Sequence, residues 1–151
     1  MSSDIKNWIE DASKKLGLNV KRFDPEIAKA LVASIRQRFV DGNPRAWWMA
    51  LKVPYTQYDS NKVSLSSVLP PTDSYVLLIL ETGDLDLPVF KLPVSDIEKV
   101  IMECPYFEYY VVGSTIDWLV AESDHNVFYV AERPNSGDVR TNSNGFIAPT
   151  K

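Results

Sequence analysis

The fold is decided by residues 107–132, which read FEYYVVGSTIDWLVAESDHNVFYVAE. Three runs rich in aromatic and β-branched residues alternate here with the turn-forming pairs Gly113-Ser114 and Asp124-His125. The runs cover 107–112, 117–122 and 126–132. Runs of this length and composition, separated by short turns, predict three antiparallel strands joined as a meander.

The alternation within the meander predicts which residues share a face of the sheet. Tight turns would place residue 112 opposite 117 and residue 122 opposite 127. One face would carry Tyr109, Val111, Trp118, Val120 and Tyr129. The other would carry Glu108, Tyr110, Val112, Leu119, Ala121, Phe128 and Val130. Since both sets are largely apolar, we expect helices to cover one face, and the second face needs a cover, a pocket or a partner.

Helical signals dominate the N-terminal third of the chain. Apolar residues at helical spacing predict a first helix over about 4–16, and the capping pair Asp24-Pro25 predicts a second. Its apolar stripe is formed by Ile27, Ala28, Leu31, Ile35 and Phe39, and Gly42 ends it. The segment 45–52 is expected to form a short third helix.

Strand signals begin after a polar run, 56–62, that is expected to be an irregular connection. The continuous apolar run 74–82 predicts a buried strand, and 87–92, which lies between prolines, predicts an edge strand. Ser95 and Glu98 have the spacing of a capping box for one more helix over 96–103.

Helices that come first in the chain and strands that follow predict an α+β fold. We expect N-terminal helices packed on a mostly antiparallel sheet of about five strands, which ends in the meander. A single domain is predicted over 1–133, and the turn-rich remainder, 134–151, is predicted to be a loose polar tail.

The composition excludes several functional classes. The chain has 151 residues with one His and one Cys, so it cannot assemble a zinc finger by itself. No glycine spacing matches a phosphate-binding loop, and no apolar run approaches the length of a membrane helix. The N-terminus lacks a secretory signal pattern, and a single Cys suits a reducing compartment. We therefore predict a cytoplasmic, non-enzymatic protein with no cofactor, no bound metal and no membrane partner.

The charge is unevenly distributed along the chain. Residues 1–52 carry ten Lys and Arg against six Asp and Glu, whereas 53–132 carry three against thirteen. An acidic field repels nucleic acid and attracts basic partners. The distribution therefore favours a basic protein partner and argues against nucleic acid.

Three functional hypotheses follow from the meander. In the first, an acidic face docks on a basic protein: Glu108, Asp117, Glu122 and Asp124 supply charge, and Tyr110 and Trp118 anchor the contact. In the second, Glu122, Asp124 and His125 surround a pocket of a small hydrolase-like or ligand-binding protein. In the third, the second face of the sheet is the interface of a homodimer of a self-associating accessory protein.

The meander also resembles an uncharacterised family of small bacterial proteins. The resemblance rests on the FEYY strand at 107–110, on the pattern WLxxExxH from Trp118 to His125, and on an upstream WW pair, Trp47 and Trp48. The family pattern often has two His in the hairpin turn, where this chain has Asp124 first. The family is similar in size and acidity to immunity proteins of bacterial toxin systems, and this implies an immunity-type inhibitor as the most concrete form of the first hypothesis.

Overall fold

The computed structural model describes residues 5–70, 74–83 and 86–132. The helices are α1 (Ile5–Leu16), α2 (Pro25–Phe39), α3 (Leu65–Val68) and α4 (Ile97–Glu103), with 3-10 turns at Trp47–Ala50 and Val94–Asp96. The strands are β1 (Lys21–Arg22), β2 (Tyr55–Asp59), β3 (Tyr75–Leu80), β4 (Val89–Pro93), β5 (Tyr109–Gly113), β6 (Trp118–Glu122) and β7 (Val127–Glu132).

All seven strands form one sheet in the order β1-β4-β3-β5-β6-β7-β2. Every pairing is antiparallel, and β5, β6 and β7 form the predicted meander. The predicted α+β class and the antiparallel sheet are thus confirmed, whereas the predicted number of about five strands is too low.

Both faces of the sheet are covered by elements of this chain. The first face packs on α1, α3 and α4, whose apolar residues join one core cluster with Tyr109, Trp118 and Phe128. The second face packs on α2 and on Trp47, in a cluster with Tyr110 and Leu119. The N-terminal helices therefore lie on opposite faces, and the second face, for which we expected a cover, a pocket or a partner, is covered by α2.

The two strands absent from the prediction are the two edges of the sheet. β1 is only two residues long, and β2 replaces most of the predicted irregular connection at 56–62. All five residues of β2 are exposed, so the strand lacks the alternation of buried and exposed residues that predicts a strand from sequence. The predicted edge strand, β4, is in fact second from the edge, because β1 pairs with its residues Phe90 and Lys91.

The predicted faces of β7 are wrong because its register differs by one residue. The β6–β7 hairpin closes with Ser123 N–H donating to Val127 O, around a loop of residues 124–126 with Asn126 at φ 65°. Glu122 consequently pairs with Phe128 rather than Val127. A shift of one residue exchanges the faces, so Phe128 joins the first cluster and Tyr129 lies on the second face.

The β5–β6 register also differs from the prediction, but by two residues, since Val112 pairs with Leu119. A shift of two residues leaves the faces of β6 as predicted.

Two predicted features of the helices are also corrected. Ile27 is 52% exposed, because the buried stripe of α2 runs through Ala28, Val32, Ile35 and Phe39. The capping box of α4 does not form: Asp96 is the N-cap residue, and Glu98 instead accepts a hydrogen bond from Ser66. The predicted tail, 134–151, lies outside the described residues.

Candidate functional site

Five strands end together beside the β6–β7 hairpin, and each contributes a carboxylate there or next to it. Glu81 follows β3 and its N–H donates to the carbonyl of Glu108, which precedes β5. Glu122 ends β6, Asp124 begins the hairpin loop, and Asp59 ends β2 opposite Val127. Antiparallel pairing thus gathers acidic residues that are distant in the sequence. We call this part of the molecule, comprising Glu81, Glu108, Glu122, Asp124 and Asp59, the acidic end.

Tyr106 is an exposed aromatic residue within the acidic end. It is 60% exposed and lies in the negative field of Glu108, Glu122 and Asp124. Partial burial of the hydroxyl, followed by these three carboxylates, raises the pKa of Tyr106 to about 12, and Arg45 opposes the shift. The phenol is therefore neutral near pH 7 and offers an O–H donor beside an apolar ring.

Arg45 is the basic residue paired within the acidic end. Its guanidinium donates to both oxygens of Glu108, at 2.8 and 3.2 Å. The hydrogen bond to Glu108 raises the pKa of Arg45, partial burial opposes the shift, and the charges of Glu108 and Asp124 add to it. Arg45 is largely exposed, so this pair adds little to stability, but it holds Glu108 in place and neutralises its charge. The charge of Glu108 is therefore offset, whereas Glu122 and Asp124 have no guanidinium partner in the described part of the chain.

The two hairpin carboxylates differ in what holds them. Glu122 accepts a hydrogen bond of 2.7 Å from the hydroxyl of Tyr109, which is buried beneath it. Burial, with the nearby Glu122, raises the pKa of Tyr109 well above its usual range. Asp124 is about half exposed, and its one ion-pair partner within the described residues is His125, at 3.3 Å. Asp124 is thus free to meet a partner, whereas Glu122 also supports the core.

An aromatic group adjoins the acidic end on the second face of the sheet. The indole of Trp48 stacks on Tyr129 at 5.6 Å, contacts His125 edge-on at 6.1 Å and lies 5.9 Å from the Arg45 guanidinium. Its Nε1 is buried and has no hydrogen-bond partner among the described residues. The neighbouring Trp47 is buried, so the two adjacent indoles have different environments, as their angular separation on a helical turn requires.

The two predicted anchors, Tyr110 and Trp118, are core residues. Tyr110 is fully buried, stacks on Trp47 at 4.1 Å and donates a 2.5 Å hydrogen bond to Glu81. Trp118 is 5% exposed and lies across Gly113, where a Cβ atom would overlap its Nε1. Neither ring offers a surface to a partner in this structure, whereas Tyr106 is exposed among the carboxylates and Trp48 lies beside Arg45.

Asp117 lies at the opposite end of the sheet from the hairpin carboxylates. It precedes β6 and accepts a hydrogen bond from Thr115 within the β5–β6 loop. Arg38 of α2 donates to the carbonyls of Thr115 and Ile116 in the same loop. We call this loop together with Gly113 and Trp118 the packed end. The structure therefore brings Glu108, Glu122 and Asp124 together and separates Asp117 and Trp118 from them.

The alternative set Glu122, Asp124 and His125 does not line a cleft. The His125 side chain is 75% exposed and faces Trp48, whereas Glu122 is bonded to Tyr109 on the other face. No group of three or more potential metal ligands occurs within 5–70, 74–83 and 86–132. A cleft of about 1110 Å³ does open beside α2, but none of these three residues lines it.

This cleft has a mixed lining that is more basic than acidic. Its charged residues are Arg22, Lys29, Arg36, Arg45, Glu81 and Asp86. Arg36 is bonded to Gly42 and Asn43, and Arg45 to Glu108, so two of the four cations are already held by the protein. The cleft meets the acidic end at Glu81 and Arg45.

Cys104 has the environment of an unreactive thiol. Its Sγ donates to the carbonyls of Val100 and Trp8, and burial together with Glu103 and Asp11 raises its pKa to about 11. The thiolate is therefore scarce near neutral pH. This geometry gives no support to nucleophilic chemistry at Cys104.

No protein-family model matches the chain, and no curated protein sequence matches it significantly. In the part of the chain that the structure describes, no helix is both long and apolar enough to span a bilayer.

Proposed function

We propose that this protein binds a basic protein partner through the acidic end of its sheet and does not itself catalyse a reaction. The observation that carries the proposal is the grouping of Glu108, Glu122 and Asp124 around the exposed ring of Tyr106. The most concrete form is an immunity-type inhibitor, which covers the basic active cleft of a toxin or enzyme.

Long-range charge would bring the partner to this surface. Residues 53–132 hold most of the acidic residues of the chain, and five of them belong to the acidic end. Such a concentration of one sign of charge accelerates the encounter with an oppositely charged protein and disfavours binding of proteins with the same sign of charge. Around Tyr106, Asp124 and Glu122 contribute more to this field than Glu108, because Arg45 neutralises Glu108.

Short-range affinity would come from the aromatic residues beside the charges. Tyr106 offers an exposed ring with an O–H group, and Trp48 offers a partly buried indole beside Arg45. Aromatic residues dominate binding hot spots because they bury a large area at a low cost in side-chain entropy.

The proposal is tested by capture from lysate with two variants that alter charge equally. Glu122→Gln with Asp124→Lys changes the acidic end and retains an acceptor for Tyr109. Asp117→Asn with Glu132→Lys makes the same change of charge at the packed end. We expect the wild type and the packed-end variant to retain a basic protein, identified by mass spectrometry, that the acidic-end variant loses.

The inhibitor form needs one further measurement on the captured protein. Adding the wild-type protein in equal amounts should abolish the activity of its partner, and the acidic-end variant should not. Capture of no basic protein, or equal capture by both variants, would contradict the proposal.

A further inference from the structure

The two edges of the sheet are protected to very different degrees. β1 is two residues long and consists of Lys21 and Arg22, which is how natural sheets discourage unwanted pairing. β2 is five residues long, all five are exposed, and it contains no Lys, Arg or Pro. Its sequence, YTQYD, has two tyrosines that are 50% and 40% exposed, Tyr55 and Tyr58. An edge of this kind is a template for another strand.

The ladder with β7 determines which groups of β2 point outward. Ser60 N–H donates to Asn126 O, and Glu132 N–H donates to Pro54 O. Because hydrogen-bonded positions alternate along an antiparallel strand, Thr56 and Tyr58 face β7. Tyr55, Gln57 and Asp59 therefore direct their N–H groups away from β7, and nothing in the described part of the chain pairs with that edge. The carbonyl of Asp59 is used by the following turn, where it accepts from Lys62 and Val63.

We infer that the outer edge of β2 pairs antiparallel with β2 of a second copy of this chain, around a two-fold axis at Gln57. In this register Gln57 meets its own counterpart and Tyr55 meets Asp59 of the other copy. The outward N–H groups of Gln57 and Asp59 then find carbonyls, which gives about four main-chain hydrogen bonds across the axis. The result is one continuous sheet of two chains with closed symmetry.

The charge of β2 favours a second copy in this antiparallel arrangement. Asp59 is the only ionised residue of the strand and lies at its end. Antiparallel pairing puts the two Asp59 residues about 14 Å apart, beyond the screening length at physiological salt. Tyr58 would lie opposite Thr56 of the other copy, a cross-strand pair of an aromatic and a β-branched residue. This inference does not depend on the proposed basic partner, since it uses the main-chain groups of the edge strand, and Asp59 alone belongs to both β2 and the acidic end.

The test uses the full-length chain and variants at Gln57, whose side chain is exposed and whose N–H faces away from β7. Sedimentation velocity should show a dimer for the wild type. Gln57→Pro removes the central N–H donors of both copies and should give a monomer with unchanged circular dichroism. Gln57→Lys places two like charges on the axis and should raise the dimer dissociation constant about fivefold, whereas Thr56→Lys, with the same charge and no like-charged neighbour opposite, should change it less.

A mixing experiment tests whether residue 57 of one copy lies opposite residue 57 of the other. Gln57→Lys and Gln57→Glu, each weakened alone, should form a one-to-one dimer when combined, because the opposite charges then meet on the axis. Native mass spectrometry distinguishes this heterodimer from the two homodimers. A monomeric wild type, or a dimer that Gln57→Pro leaves intact, would overturn the inference.

Discussion

The acidic end and the packed end of the sheet have the same strands but opposite physical characters. At the packed end, Trp118 lies against Gly113 and Arg38 ties the β5–β6 loop to α2. At the acidic end, Tyr106 and Asp124 are exposed among carboxylates, of which Arg45 neutralises Glu108. The side chains of the packed end thus make contacts within the protein, whereas the acidic end leaves charged groups and an aromatic ring facing solvent.

This difference indicates where a partner can act on the molecule. A residue whose polar atoms and ring are used inside the fold has little left for recognition, as Tyr110 and Trp118 show. Substitutions at the packed end should therefore change stability and leave binding intact, and those at the acidic end should do the reverse.

The largest effect is expected from Gly113→Ala at the packed end. The new methyl group would overlap the indole of Trp118, which is buried and cannot move aside freely. Overpacking of this kind costs about 1–3 kcal/mol, enough to lower the melting temperature by several degrees. Thermal denaturation measures the effect, and affinity for the basic partner should not change.

A double-mutant cycle identifies the cause of that loss. The overlap involves atoms of the five-membered ring of Trp118, so Trp118→Phe should remove most of it. We expect Gly113→Ala to cost clearly less in the Trp118→Phe background. Equal costs in both backgrounds would show that the indole is not responsible.

At the acidic end, Tyr106→Ala should weaken binding by about 30-fold, the loss typical of an aromatic hot spot. Its melting temperature should stay near that of the wild type, because the ring is 60% exposed. Ile27→Ala removes a comparably exposed apolar side chain from α2 and provides the matched control. Titration calorimetry with the basic partner should register a loss for Tyr106→Ala alone.

A smaller effect concerns alkaline stability. The folded-state pKa values of Cys104 and Tyr106 are raised to about 11 and about 12, from ordinary values of 9.0 and 10.0. Stabilisation from the protonated groups is therefore complete below about pH 9 and is lost as the pH rises toward 12. Urea unfolding measured from about pH 8 to about pH 11 should show a falling free energy of unfolding.

Loss of hairpin charge should make the titration of Tyr106 easier. In Glu122→Gln with Asp124→Lys, the pKa of Tyr106 should fall part of the way toward its ordinary value, because two of the three carboxylates that oppose ionisation are gone, whereas burial and Glu108 still raise it. Ultraviolet titration of the phenol measures the shift. An unchanged titration would show that the acidic end does not act electrostatically on Tyr106.

The sequence predicted the buried parts of the fold well, because burial leaves a pattern. β3 and the meander carry continuous or alternating apolar residues, and Asp24 followed by Pro25 marks the start of α2 with a cap that the structure contains. β2 left no such pattern, since all of its residues face solvent and its existence depends on pairing with β7.

The composition of the candidate site was only partly predictable. Glu108, Glu122 and Asp124 were predicted, together with Asp117, as the charges of an acidic docking face, and antiparallel pairing brings the first three together. Tyr106 was missed, because it follows Pro105 outside any predicted strand and its exposure depends on tertiary packing. The one-residue register error had the same origin: a positive φ at Asn126 lengthens the hairpin loop, and turn composition alone did not reveal it.

Binding through the acidic end is tested most directly by the rate at which the protein associates with its captured basic partner, measured at two salt concentrations. We expect Glu122→Gln with Asp124→Lys to slow association about tenfold at low salt, with a smaller difference once the Debye length falls below about 10 Å. Asp117→Asn with Glu132→Lys, which changes net charge equally at the packed end, should associate nearly as fast as the wild type. Equal slowing by both variants would mean that overall charge guides the partner, and would contradict an assignment of binding to the acidic end.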